Sequence, residues 1–209
     1  MNNEFIEVPA SKKSIGQRKK IFGIAINDAP YITNPRNNGK LQACPYYMVW
    51  KSMLQRCFDT KLHSKYPTYL NCTISTEWLL FSTFKSWMEQ QNWKGKQLDK
   101  DLLITGNKHY SSDTCLFISQ ELNKLLNENS NRTRTYLLGV TLNKRDGSFT
   151  ARSCYLGKRF IGNFPTEIEA YNAYCLCKKQ IIISIAEQES DVKVKNALIN
   201  RANLICLVE

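Results

Sequence analysis

At 209 residues the chain is long enough for one large or two modest domains, either of which can bury a core. Hydrophobic residues at 43% and charged residues at 22% argue against a disordered chain, a collagen-like repeat and a disulfide-stapled miniprotein. The 29 Lys and Arg against 18 Asp and Glu leave a formal charge of +11, an excess that favours a polyanionic partner through counterion release.

No stretch approaches the roughly 18 uninterrupted apolar residues of a membrane span, and Met1 to Gly16 has no apolar run of the signal-peptide kind. The expectation is a cytoplasmic protein with no membrane partner. There the eight cysteines, at positions 44, 57, 72, 115, 154, 175, 177 and 206, stay reduced. Without amphipathic anchor helices, nucleic acid is the favoured polyanion.

In chain order, Lys12, Lys13, Arg18, Lys19 and Lys20 form a basic cluster with little periodicity, read as a flexible arm, and Asn34 to Lys40 is turn-rich loop. Cys44-Pro45 opens a helix whose Trp50, Met53, Leu54 and Cys57 recur at i, i+3, i+4 and i+7. A loop over Asp59 to Asn71 leads to a second helix, capped by Ser75 or Thr76, with Trp78, Phe81, Phe84 and Met88 on one face. Two short strands, Leu102–Ile104 and Leu116–Ile118, flank a turn-rich loop and are followed by a helix from about Gln120.

The polar run from Asn127 to Tyr136 reads as a domain boundary. Beyond it the period changes to three strands, Leu138–Leu142, Phe149–Leu156 and Arg159–Phe164, joined by hairpin turns at Lys144-Arg-Asp-Gly147 and Gly157-Lys158. A helix follows Pro165, with Thr166 as N-cap and Ile168, Tyr171, Ala173, Tyr174 and Leu176 on its apolar face. An amphipathic helix over about Asp191 to Cys206 closes the chain.

The strand region concentrates positive charge: Arg132, Arg134, Lys144, Arg145, Arg152, Lys158 and Arg159 stand against the single acid Asp146. A sheet covered by a helix on one side offers its other side to a partner, and a small ribbon bearing Arg and an aromatic fits the DNA major groove; the alternative is a merely solvated face. By strand alternation Thr150, Arg152 and Cys154 share one side, which makes Arg152 the best candidate for a base-edge contact.

Upstream, Asp99-Lys-Asp101, Gly106-Asn-Lys108 and Ser119 to Asn123 bring oxygen ligands together across two strands and a helix, a pattern able to hold one divalent cation. Cys44, Cys57, Cys72 and Cys115 offer a structural zinc alternative, but their spacings match no compact signature and each sits beside apolar residues, as a small core residue does. Cys175 and Cys177, two apart on a helix, face different ways.

Leu138 to Arg152 and Gly157 to Tyr174, with its Gly-x-Phe-x-Thr-x-x-Glu-Ala helix start, resemble the plant Apetala/ethylene-response-factor DNA-binding domain over about 40 residues. That resemblance implies a sheet lying in the major groove, with Arg152, Lys158 and Phe160 facing DNA and Lys144 and Arg145 reaching it from the hairpin. The family's first-strand Arg corresponds to Thr141 here, so the plant base specificity does not carry over. Leu98-Asp-Lys-Asp, Gly106-Asn-Lys and Phe117-Ile-Ser-Gln-Glu-Leu-Asn123 are similar to the HNH motif of phage-borne homing endonucleases, in which an Apetala-type module can follow the nuclease half. This implies Asp99 and Asn123 as ligands of a magnesium ion. The position of the family's catalytic His holds Lys100, a poor base by its ordinary pKa of about 10.4; His109 in the neighbouring loop is the substitute candidate, against the plainer reading of a solvated loop His.

The expected architecture is α+β: a basic arm and loop over 1–40, an HNH-like, ββα-metal type half over 41–128, a linker over 129–136, and over 137–209 a three-stranded antiparallel sheet packed on a helix, with a C-terminal helix. The expected partner is double-stranded DNA. Two function classes remain, a magnesium-dependent homing-type endonuclease and a nuclease-dead relative that occupies a DNA site as a repressor or competitor.

Overall fold

The computed structural model describes residues 5–37, 39–127, 135–153, 155, 157 and 159–208. It divides into two units, Met1–Asp101 with Gly106–Phe117 and Leu102–Thr105 with Ile118–Glu209. The boundary therefore falls upstream of the polar 129–136 segment, of which 129–134 lies outside the described residues. No helix among the described residues is long and apolar enough to cross a membrane.

In the first unit one side chain organises the N-terminal segment. Arg18 donates from Nη1 to the carbonyls of Asn27 (3.0 Å) and Ala29 (2.6 Å) and from Nη2 to that of Tyr31 (2.8 Å), the fan of acceptors that a planar guanidinium with five donors can serve. The short helix α1 (Lys12–Gly16) precedes it, capped by Ser11. Bridges tie Pro9 to Tyr31 and Ile21 to Ala25, and Ala25, Ala29 and Tyr31 are buried in the core. The expected flexible arm is thus corrected: residues 5–37 belong to the fold, with Arg18 spent inside it while Lys12, Lys13, Lys19 and Lys20 are exposed.

A two-stranded ribbon, β1 (Arg36–Asn37) and β2 (Lys40–Leu41), leads to α2 (Pro45–Phe58), where Pro at the helix start costs no hydrogen bond. Its stripe buries Tyr47, Trp50, Met53, Leu54 and Cys57. The expected loop after it instead contains α3 (Thr60–Lys65), because the Asp59 carboxylate accepts from the amides of Lys61 (3.0 Å) and Leu62 (3.3 Å) and so starts a new helix. A 3₁₀ turn over Pro67–Tyr69 and β3 (Thr73–Ile74) follow.

The second apolar segment splits into a 3₁₀ turn over Thr76–Leu79 and α4 (Phe81–Glu89). The break at Leu80 has a tertiary cause: Ile26 donates to Leu79 O (2.8 Å) and accepts from Phe81 (3.0 Å), which holds Leu80 extended. Ser75 makes no capping bond; Asp28, 54 residues away, caps α4 by accepting from the Ser82 amide (2.8 Å). Trp78, Phe81, Phe84 and Met88 are all buried as the spacing predicts, each of Phe81, Phe84 and Met88 worth roughly 1.5–3 kcal/mol. The Trp50 indole donates to Trp78 O at 2.7 Å, so its one polar atom is satisfied within the core.

Three short strands complete this region, β4 (Gln97–Asp99), β5 (His109–Tyr110) and β6 (Leu116–Ile118). β3 pairs with β5 in parallel and β4 lies beside β6. The strand expected over Leu102–Ile104 is displaced to 97–99, because reciprocal bonds between Lys100 and Asn107 close the intervening segment into a loop.

The second unit begins with α5 (Gln120–Leu126), capped by Ser119. Its sheet has the order β7 (Val140–Leu142), β8 (Phe149–Ser153), β9 (Arg159–Phe164), antiparallel throughout. The long helix α6 (Glu167–Gln188) starts at a capping box, Thr166 accepting from the Glu169 amide while the Glu169 side chain accepts from Thr166. Val140, Ala151, Ala170, Tyr174 and Cys175 form the core between sheet and helix. Of the apolar face expected for α6, Tyr174 is buried, whereas Ile168 and Leu176 are exposed; Ile182 and Ala186 continue the buried side. α7 (Val192–Asn203), capped by Asp191, packs against α6, and Asn172 clamps the backbone of Val208 with two bonds of 2.9 Å. A mixed α and β fold with a three-stranded antiparallel sheet is therefore present.

Candidate nucleic-acid interface

Cross-strand rows sort the sheet residues by face. Val140, Ala151 and Gly162 lie in one row, and Leu142, Phe149 and Phe164 in another; both rows turn toward α6. Thr141, Thr150 and Asn163 form the opposite row, in which the Thr150 hydroxyl donates to Asn163 Oδ1 at 2.8 Å. A bulge between Ala151 and Arg152 shifts the register so that Arg152 pairs with Phe160. Both are exposed on the face away from α6, Phe160 at 59%.

An exposed aromatic beside an exposed guanidinium on one sheet face is an amphipathic surface able to stack on, and donate to, a planar polar partner. At the β7–β8 hairpin, Lys144 and Arg145 are exposed at a turn fixed by Asn143 and Asp146: Asn143 Oδ1 accepts from the Arg145 amide (3.1 Å). The Ser148 hydroxyl and amide, at 2.6 and 2.9 Å, hold the Asp146 carboxyl below its ordinary pKa. That acid is committed to the turn, which leaves the two cations at its tip.

Arg159 departs from the expected set. It pairs with Ser153 and lines a cleft of about 470 Å³ with Tyr155, Cys177, Gln180 and Ile181, on the α6 side. Arg132, Arg134 and Lys158, also expected at the interface, lie outside the described residues. Asn163 joins the outer row without having been singled out, since the bulge hides its side from simple alternation.

In the other candidate site, Asp99 and Lys100 are each only 6% exposed. Asp99 Oδ1 accepts from the Asp101 amide (2.9 Å). The Lys100 ammonium donates to Asp101 Oδ1 at 2.7 Å and to Asn107 O at 2.6 Å, and lies over the Tyr110 ring. The Asn107 amide donates to the carbonyls of Lys100 (2.8 Å) and His109 (2.6 Å), and its Oδ1 accepts from the His109 amide (3.0 Å).

The His109 ring is engaged through Nδ1 with the Thr73 hydroxyl at 2.9 Å. Lys100 is thus a committed donor, the reverse of what a general base must be. Asn123 stands on α5 in the second unit, where its Oδ1 accepts from Asn127.

Cys44, Cys57, Cys72 and Cys115 are buried in the apolar core of the first unit. Burial pushes the thiols of Cys57 and Cys115 up to about 12, and Cys44 sits 3.7 Å from the Tyr31 hydroxyl. Among the described residues no group of three or more His, Cys, Asp or Glu is placed to hold a metal ion. Cys175 is buried and Cys177 partly exposed, on different sides of α6. No protein-family model, curated protein or solved structure matches the chain.

Proposed function

We propose that this protein binds double-stranded DNA through the outer face of its three-stranded sheet and acts by occupying a site rather than by cutting it. The observation that carries the reading is the Arg152–Phe160 pair, exposed together on the face that α6 leaves open, in the same three-stranded sheet whose β7–β8 turn exposes Lys144 and Arg145. A net charge of +11 supplies the attraction to phosphate, and a two- or three-stranded ribbon has the width of the major groove. The site-occupying form of the proposal rests on Lys100, which stands where the HNH base would be and whose ammonium already donates to Asp101 and Asn107.

The endonuclease is the second reading, favoured by the paired strands β4 and β6 followed by α5 over 97–126 and by Asp99 and Asn123 at the positions of the HNH ligands. On that reading both would serve a magnesium ion supplying charge to the scissile phosphate. One experiment addresses both readings: duplex binding measured between about 50 and 200 mM salt, beside plasmid nicking with magnesium or manganese. The expected result is affinity falling by about 10³ or more, as six or more phosphate contacts require, and no nicked product. Binding that ignores salt would overturn the DNA reading, and nicking lost in Asp99→Ala would restore the nuclease.

A further inference from the structure

A buried cation beside acids in a tight loop poses a question of charge balance. Between Asp99 and His109 the loop holds two carboxylates, Asp99 and Asp101, and two ammonium groups, Lys100, which is buried, and Lys108, which is exposed and donates to Thr68 O; the Arg56 guanidinium is a further cation, close enough to Asp99 to feel its charge and donating to Leu98 O at 3.4 Å. The two acids are therefore already matched by the buried Lys100 and by Arg56. A magnesium ion takes oxygen ligands in a nearly ideal octahedron, but four oxygens of this loop already accept hydrogen bonds, and a buried ammonium stands among them. Asp101 Oδ1 and Asn107 O accept from Lys100, Asp99 Oδ1 accepts from the Asp101 amide, and Asn107 Oδ1 accepts from the His109 amide. The residues do not fit the magnesium ion that the HNH resemblance implies.

We infer that Lys100 is the resident cation of this loop, its ammonium taking the structural place of a divalent metal by joining Asp101 to the backbone at Asn107. The bond to Asn107 O spans seven residues of sequence and is answered by the reciprocal bond from the Asn107 amide to Lys100 O. One side chain so closes the loop that leads into β5, and with it the pairing of His109 with Thr73. The side chain is 7% exposed against 28% for Asp101, so water competes little for the ammonium, and the face of Tyr110 adds a further attraction. A metal bound here would have to displace this ammonium or place its charge next to it.

The test uses the full chain and no DNA, so its failure is distinct from failure of the DNA-binding proposal. Manganese binding is followed by electron paramagnetic resonance, and thermal unfolding is recorded with EDTA or with about 5 mM magnesium, a concentration ample for a millimolar site. Wild type should take up no stoichiometric manganese and show the same Tm in both solutions. Lys100→Met should lower Tm by about 6–20 °C, the loss expected for a broken buried pair in a chain of this size, and Asp101→Asn should add little to it, since both remove one interaction.

Where Lys100→Met does not fold, Lys100→Arg replaces it: a retained charge should keep Tm closer to wild type than Lys100→Gln does. One manganese per chain, lost in Asp99→Ala, would overturn the inference, as would unchanged stability in both Lys100→Met and Lys100→Gln.

Discussion

Arg152 and Lys144 carry the same charge in different surroundings, and that difference is measurable. Arg152 stands on the central strand with its neighbour Phe160 fixed by strand pairing, whereas Lys144 extends from a turn. If the sheet lies in the groove, a planar fork held over base edges discriminates between bases, while an ammonium on a flexible stem meets phosphate without discriminating. Arg152→Ala is expected to cost roughly 1–3 kcal/mol on the preferred site and little on random duplex, and Lys144→Ala to weaken both about equally. Fluorescence anisotropy on the two duplexes decides; equal losses for both variants on both duplexes would assign Arg152 to phosphate alone. Arg152 was legible because two-residue alternation reaches it from Thr150. Asn163 was not, because the bulge between Ala151 and Arg152 puts three residues, Phe160 to Gly162, opposite two, and parity cannot be carried through it.

At the scale of elements, the sheet and α6 are joined at a point where no side chain fits. Gly139 has φ +77°, and a Cβ built on it would meet the Tyr174 ring at 2.3–2.7 Å. Gly139→Ala therefore combines an unfavourable backbone conformation with a clash against a buried ring, and should destabilise the second unit by at least about 1–3 kcal/mol. A urea midpoint followed by far-ultraviolet circular dichroism tests this, and an unchanged midpoint would mean that Tyr174 moves aside freely. Elements with local causes were readable: Pro45 and its stripe give α2, Thr166 and Glu169 give α6, and Asn143 to Ser148 give the hairpin. Elements with distant causes were not. The extended break at Leu80 comes from Ile26, the cap of α4 from Asp28, and the missing strand at 102–104 from the Lys100–Asn107 closure, all contacts that periodicity does not record. Two local signals were passed over: Ser11, which starts α1, and Asp59-Thr60, an ordinary helix start hidden by the end of the preceding helix.

For the molecule as a whole, the first unit has a core rich in buried thiols, and alkali tests it. Cys57 and Cys115 are buried in the first unit with thiols held near 12 against an ordinary 9.0. Above about pH 9 the unfolded chain ionises these thiols while the folded one does not, so unfolding releases protons and stability falls from pH 9 toward 12; below pH 9 their contribution is complete. Burial raises Tyr31 and Tyr110 in the same direction. All four tryptophans, Trp50, Trp78, Trp87 and Trp93, lie in the first unit, so their fluorescence reports it selectively. The urea midpoint by this probe should drop between about pH 8 and pH 10.5, and drop less in Cys57→Ala/Cys115→Ala. Equal drops would assign the effect to the tyrosines.

Arg18 gives the basic N-terminal segment an uneven tolerance of substitution. Lys12, Lys13, Lys19 and Lys20 are exposed, and for the purpose of folding they are interchangeable with one another and with most polar residues. Arg18 closes three carbonyls in a plane, which a lysine cannot reproduce. Selection acting on folding alone would let the lysines drift and hold this arginine fixed. Selection acting on a polyanionic ligand would hold the lysines as a group, by their number more than by their places. A single stretch of like charges is thus open to two constraints, one on the position of a residue and the other on a total.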